Sequence, residues 1–295
     1  MAGAGKDHGD PATLDAPETI DRPVYTASLA ERPFVGLRIG LLSGFLSHGT
    51  DAETIPVKQV IDSAVAMLEA NGVTVVQIDD TVYDAQSILT RLDTQRFEYR
   101  EALDRYLRRP DLAGNRPKDF HQLYASKDFL VIPAQYEYIK TASVSSTSDP
   151  AYERVCAGIK ELTRTLSATF AHHRLDAIIY PQQKRLTVKV GSRSQAQRNG
   201  ILAALTGFPS VCVPGGFSPA TADAPIGIPI GMELLGMPWT EHKLLQIAYQ
   251  FERLTQIRKP PVLGDAAKDM HEQASKSRFP ASQAVSSAYP LGVLE

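Results

Sequence analysis

The chain has 295 residues, 43% hydrophobic and 22% charged, with 31 Lys and Arg against 33 Asp and Glu for a formal charge of −2. That length is two domains' worth of chain, or one large α/β domain with loose ends, and the near-zero balance argues against a strongly basic nucleic-acid surface or an acidic tail protein. Cys156 and Cys212 are too few for a disulfide framework and too far apart for a zinc site, which points to a reducing, cytoplasmic setting; no apolar run suits a membrane helix or, at Met1–His8, a secretory signal.

Residues 1–33 carry Pro11, Pro17, Pro23 and Pro33 among Asp7, Asp10, Asp15 and Asp21, and read as an extended N-terminal arm. The glycine-flanked apolar run 36–42 suits a buried strand. From Pro56 to Ala70, Val57, Val60, Ile61, Ala64, Val65 and Leu68 recur at helical spacing, and Asn71-Gly72 supplies a left-handed stop. The β-branched run 73–78 follows, so strand, helix and strand form a right-handed βαβ unit with a parallel pair. Residues 85–139 read as helical, broken at Arg109-Pro110 and near Asn115-Arg116-Pro117. Their aromatics (Phe97, Tyr99, Tyr106, Phe120, Tyr124, Phe129, Tyr136, Tyr138) are read as helix packing in preference to a pocket lining.

The hydroxyl-rich run 141–148 reads as a linker ending in the cap Asp149-Pro150, from which a long helix runs towards His172. A strand is expected over 175–181, a short helix over 194–205 and a strand over 208–214 that Gly215-Gly216 turns. A further strand spans 228–235. Thr240 then caps an amphipathic helix through Leu244, Leu245, Ala248 and Phe251, with Glu241 at its positive end. Beyond Pro261 the Ser/Ala-rich chain reads as a loosely held tail, which gives an arm 1–33, a body 34–262 and a tail 263–295.

The familiar catalytic patterns are missing: no Gly-x-Ser-x-Gly elbow, Ser-x-x-Lys, Walker loop, Gly-x-Gly-x-x-Gly or His-Glu-x-x-His occurs. His172 and His173 are expected on different sides of a helix end, which disfavours joint metal ligation. His48 follows the first strand, where α/β folds place ligands, yet reads more simply as a polar loop residue. Ser143-Val144-Ser145-Ser146 lacks the glycine turn that usually furnishes oxyanion donors. Lys184 and Lys189 follow a strand end in surroundings that signal no depressed pKa, and are assigned no catalysis. Glycines after a strand, as in Val213-Pro214-Gly215-Gly216, permit a close approach of ligand or backbone or a plain tight turn.

From Leu175 to Pro261 a series of segments resembles the C-terminal part of the amidase signature family. They are Asp176-Ala177-Ile178-Ile179-Tyr180-Pro181, Arg198-Asn199-Gly200, Leu202 through Thr206-Gly207-Phe208-Pro209, Val211 through Gly215-Gly216-Phe217, Pro225 through Pro229-Ile230-Gly231, and Glu241 through Tyr249. Asp10-Pro11-Ala12-Thr13 and Gly36-Leu37-Arg38-Ile39-Gly40 resemble the stretch following that family's signature. Each piece is short; their order over most of the chain is the specific feature.

The resemblance implies an α/β fold, a partial α/β/α sandwich with helices flanking a mixed β-sheet, and hydrolysis of amide C–N bonds by a Ser–cis-Ser–Lys triad. In that family all three residues precede the Asp-Pro-Ala-Thr landmark, which here begins at Asp10, so none is carried over and the chain is expected to be inactive alone. It implies Gln182, Gln183, Asn199, Pro214, Gly215 and Gly216 as edges of the substrate pocket. No metal or organic cofactor is expected. The expected partners are a small-molecule amide and, through a sheet face left uncovered, a second copy or another chain, with neither nucleic acid nor membrane. The chain reads as a truncated product or one begun at an internal methionine; the other reading is a non-catalytic binding or regulatory module that keeps the scaffold and pairs with another chain.

Overall fold

The computed structural model describes residues 6–8, 13–16, 25, 29, 34–126, 133–189 and 197–261. In chain order the elements are β1 (Arg38–Leu42), α1 (Ile55–Ala70), β2 (Thr74–Ile78), α2 (Ala85–Arg91), α3 (Gln95–Leu107), α4 (Phe120–Ser126), α5 (Pro133–Val144), α6 (Pro150–His173), β3 (Ala177–Pro181), α7 (Leu202–Thr206), β4 (Ser210–Phe217), β5 (Pro229–Leu235) and α8 (Glu241–Thr255). The described residues fall into two compact units. One lies within Met1–Asp93, Val155–Thr187 and Ala196–Arg258, the other within Thr94–Arg154, Val188–Gln195 and Lys259–Glu295.

The first unit is a five-stranded sheet in the order β2-β1-β3-β5-β4. β1 pairs in parallel with β2 (Ile39 opposite Val75) and with β3 (Gly40 opposite Ile178). β5 runs antiparallel to β3 (Tyr180 opposite Glu233) and to β4 (Cys212 opposite Glu233). The mixed sheet and its flanking helices are those expected. The period-two alternation of β1, β3 and β5 sends Ile39, Leu41, Ile179, Met232 and Leu234 to one face, under Ile61, Ala64 and Leu68 of α1 and Leu244, Ile247 and Phe251 of α8. Leu42, Ile178, Tyr180 and Leu235 enter the other core with Ile88 of α2, Leu162, Leu166 and Phe170 of α6, and Leu202 of α7. The result is three layers with two apolar cores.

α1 begins and ends for identifiable reasons. Ahead of α1, Asp51 Oδ1 accepts from the backbone N–H groups of Glu53 and Thr54 at 3.0 and 3.1 Å, and the Asp51 carbonyl accepts from Ile55 N, the first residue of the helix, at 3.1 Å. Gly72 closes the helix at φ +89°, a left-handed conformation that suits glycine.

Three details differ from the sequence expectation. Gly215-Gly216 does not turn the fourth strand: β4 continues to Phe217 with an irregularity between Pro214 and Gly216. A Cβ on Gly216 would lie 2.9 Å from Val60 Cγ2, so the absent side chains let α1 approach the strand. The helix expected over 194–205 is confined to Leu202–Thr206, and residues 194–196 lie outside the described residues. Ahead of it Gln197 takes φ 60° and Arg198 bridges Gln183, because this segment pairs its backbone with the loop after β3 instead of with itself. Thr240 makes no side-chain cap to α8; its hydroxyl donates to Met237 O at 2.7 Å.

The second unit is helical. Phe120, Tyr124 and Ile139 form a small core with Tyr99 and Tyr136, and the Tyr99 and Tyr124 hydroxyls are 2.8 Å apart. Phe97 packs on Tyr152, Tyr106 is exposed, and Phe129 lies outside the described residues. The hydroxyl-rich run is shorter as a linker than expected, since α5 extends through Val144. Glu101 ties down what remains, accepting from Ser146 Oγ and Thr147 Oγ1, each at 2.7 Å, which holds its carboxyl below the usual carboxylate range. Asp149 caps α6 as expected, its Oδ1 accepting from Ala151 N at 2.7 Å.

Candidate functional site at the carboxyl ends of β1 and β3

β1 is followed by α1 and β2 on one side, while β3 lies on its other side. The strand order therefore reverses between β1 and β3, and in open α/β sheets the crevice outside the carboxyl ends at such a reversal is where ligands sit. Three segments meet there: Ser43–Phe45 after β1, Gln182–Leu186 after β3, and Gln197–Gly200 before α7.

Asn199 is the keystone. It is fully buried, and its Nδ2 donates to Phe45 O and to Pro181 O, both at 2.8 Å, joining the ends of β1 and β3. Its backbone N–H donates to Gln182 O at 3.0 Å, and Gln182 N donates to Gly231 O at 3.0 Å. Lys184 Nζ donates to Gly44 O at 2.7 Å, so the ammonium and the Asn199 amide engage consecutive carbonyls. Burial pushes the Lys184 ammonium below its usual range, with Asp84 opposing. This corrects the expectation that nothing around Lys184 would perturb it: the perturbation comes from a loop distant in sequence. Lys189 is exposed.

The rim is polar. Leu186 N donates to Glu53 O at 2.9 Å, and the Arg185 guanidinium pairs with the Glu53 carboxylate. Oε1 of Gln182, Oε1 of Gln183 and Oδ1 of Asn199 are buried without a hydrogen-bond partner. Pro214 stands opposite Gly231, whose carbonyl serves Gln182, so Pro214, Gly231 and Gln182 form one row across three strands. Gly215 and Gly216 are buried towards Val60 of α1 instead. His48 is exposed in the loop between β1 and α1.

The same strands hold a buried polar pair that the sequence expectation did not include. Tyr180 and Glu233 face each other across β3 and β5, and the Tyr180 hydroxyl donates to Glu233 Oε1 at 2.8 Å. Burial raises the Glu233 carboxyl above its usual range although Tyr180 and Ser210 both hydrogen-bond it. Burial and the Glu233 charge push the Tyr180 phenol up, and the exposed Cys212 thiol is also raised, by desolvation and then by Glu233. In sequence Glu233 sits inside an apolar strand run, and that interruption is the one local signal of the pair.

At the opposite, amino end of the strands a cleft of about 200 Å³ is lined by Phe34, Leu37 and Ile247 with Asp176 and Lys243. His172 and His173 end α6 with their rings edge to face, 4.6 Å between centroids, rather than diverging. Among the described residues no group of three His, Cys, Asp or Glu side chains is placed to hold a metal ion, and no helix is long and apolar enough to cross a membrane. Among the described residues no serine hydroxyl hydrogen-bonds a lysine ammonium.

Known proteins give this architecture its context. Residues 2–245 match the Amidase family. The chain is 29% identical over 283 residues to the glutamyl-tRNA(Gln) amidotransferase subunit from Heliobacterium modesticaldum, covering 88% of this chain and 53% of that one. It is 28% identical to the protein of the same name from Desulfotalea psychrophila, covering 80% and 48%. Among solved structures it superposes on peptide amidase from Stenotrophomonas maltophilia with a TM-score of 0.65 at 27% identity, covering 88% of this chain and 50% of that one. The chain thus spans about half the length of the curated relatives it matches. With the family match running from the N-terminal arm into α8, this chain belongs to the amidase family.

Proposed function

We propose that this chain is the pocket-forming portion of an amidase-family hydrolase. It contributes to cleavage of amide C–N bonds only where another segment or chain supplies the nucleophile, its base and the oxyanion donors. The observation that carries this reading is the composition of the β1/β3 crevice: buried acceptors and one half-buried ammonium, with no serine–lysine hydrogen bond among the described residues. Amide hydrolysis needs an activated nucleophile and preorganised oxyanion donors, each contributing orders of magnitude in rate, and binding alone does not replace them. In this reading Gln182, Gln183, Asn199 and Pro214, with Gly215 and Gly216 behind them, form the pocket edge, and the protein works in a reducing cytoplasm.

A second reading, a non-catalytic module that pairs with another chain, draws on β4. It is one of the two edge strands of the sheet among the described residues, and Ser210 and Cys212 on it are exposed. The curated relatives are named as amidotransferase subunits, which is consistent with assembly.

The test is hydrolysis of a simple aryl amide by the purified chain, alone and after co-expression with a separate chain matching the first half of peptide amidase. The expected result is no turnover alone and measurable turnover in the pair. Turnover by the chain alone, absent from a mock preparation, overturns the leading reading; a stable but inactive pair supports the second.

A further inference from the structure

We propose that the cleft at the amino ends of β1 and β3 binds a free α-amino acid with an apolar side chain, taking its ammonium on Asp176, its carboxylate on Lys243 and its side chain against Phe34, Leu37 and Ile247. The inference goes beyond the hydrolase reading and does not rest on it: the cleft lies within the first unit, at the end of the strands away from the β1/β3 crevice.

Two walls make the cleft. On one side Phe34 and Leu37 bracket a tight turn, closed by Leu37 N donating to Phe34 O at 3.1 Å and by Gly36 at φ +88°. On the other, Lys243, Gln246 and Ile247 share a face of α8 at three- and four-residue spacing. Phe34 and Ile247 are buried and form an apolar floor. The cavity of about 200 Å³ exceeds the roughly 150 Å³ apolar cavity that holds a benzene molecule, so one ring-sized side chain fits with its head group at the rim. Asp176 is fixed at that rim by a two-way bond with Arg38: its N–H donates to Arg38 O at 2.8 Å and its Oδ2 accepts from Arg38 N at 3.0 Å. Oδ1 then faces Lys243 Nζ at 3.5 Å, a loose ion pair whose ammonium is half-exposed.

Charge balance selects the ligand. Among the described residues, Asp176 and Lys243 are the charged groups lining the cleft, one of each sign. A metal ion would meet a single carboxylate beside an ammonium, where such ions take several oxygens. An apolar carboxylate meets Lys243 but is opposed by Asp176, and an apolar amine meets Asp176 but is opposed by Lys243. An α-amino acid carries both charges on one carbon. Its ammonium and carboxylate complete an alternating square with the Asp176–Lys243 pair while its side chain leaves water for the floor. Gln246, one turn along α8 from Lys243, offers an amide N–H on the carboxylate's side.

Calorimetric titration of the full chain with L-phenylalanine, 3-phenylpropanoate, phenethylamine and glycine tests this. Saturable binding of phenylalanine is expected. The two singly charged analogues should bind roughly fivefold more weakly, the worth of one partly exposed ion pair, and glycine about tenfold more weakly for want of the buried ring. Two variants then exchange the preference. Asp176→Asn keeps an acceptor for Arg38 N and should weaken phenylalanine while strengthening 3-phenylpropanoate. Lys243→Met, at a half-exposed position, should weaken phenylalanine while strengthening phenethylamine. A general loss of fold weakens every ligand and strengthens none, so the exchange is specific to these contacts; if Asp176→Asn does not fold, Lys243→Met alone decides. No saturable binding of phenylalanine, equal binding of glycine or of either singly charged analogue, or an unchanged ranking of ligands in a folded variant overturns the proposal.

Discussion

The two ends of β1 and β3 are built from similar polar materials and treated oppositely. At the amino end, none of the described residues carries a buried polar side-chain atom without a partner. Asp176 Oδ2 accepts from Arg38 N at 3.0 Å, Arg38 Nε donates to His173 O at 2.9 Å, and Lys243 Nζ lies 3.5 Å from Asp176 Oδ1. At the carboxyl end Asn199 spends its donors on two strand-end carbonyls while its own oxygen and those of Gln182 and Gln183 have no partner. The amino end, beside its cleft, meets these polar groups with its own bonds; the carboxyl end leaves three acceptors unmet at a standing free-energy cost. Paired polar groups at one end and orphaned acceptors at the other are the contrast between the two termini among the described residues.

The largest expected effect breaks the keystone. Asn199→Leu strands the Phe45 and Pro181 carbonyls and should destabilise the chain by about 2–5 kcal/mol in chemical denaturation. Asp176→Ala at the amino end removes the carboxylate acceptor of the Arg38 backbone N–H and one half-exposed ion pair and should cost about 1–2 kcal/mol. A larger loss for Asp176→Ala than for Asn199→Leu would reverse the comparison.

Glu233→Gln keeps an acceptor for Tyr180 and removes a buried charge. Because the folded carboxyl titrates above its ordinary value of 4.5, the native state holds its proton longer than the unfolded chain. Stability from this group is therefore greatest below pH 4.5 and declines as pH rises through the folded value. The variant should abolish that decline and gain on the order of 1 kcal/mol near pH 7, roughly 2–4 °C in Tm. An unchanged pH–stability curve would contradict it.

Gln183→Leu carries the sharpest contrast despite its small size. Removing an acceptor that has no donor should leave stability unchanged or raise it by about 0.5–1 kcal/mol, where the equivalent truncation at the amino end destabilises. Smaller still is Lys184→Met. The depressed lysine is a penalty felt at pH below its folded value and relieved as pH climbs towards 10.5, so the variant should flatten the alkaline limb of the stability profile.

Much of the frame was legible because local pattern and tertiary need agree. The helical stripe of Val57, Ile61, Ala64 and Leu68 is the face α1 buries, and the apolar runs of β1 and β3 are strands covered on both sides. The resemblance to the amidase signature family, carried by short ordered segments, agrees with the family match over residues 2–245. Local pattern failed where a long-range bond outcompeted it. A helix is expected over 194–205, but the backbone of 197–199 pairs with the loop after β3, and Gly215-Gly216 has turn composition, but α1 presses on it and β4 continues.

What the sequence determined by itself was where apolar surface must go, and hence the strands, the long helices and the parallel βαβ beginning, since periodicity is a property of neighbours in the chain. Only the tertiary structure decided that Lys184 loses water beneath Gly44, that Glu233 finds Tyr180 and that three amide oxygens end without donors. Desolvation and hydrogen-bond satisfaction depend on which distant segments arrive at the same point in space, and nothing in the order of residues encodes that directly.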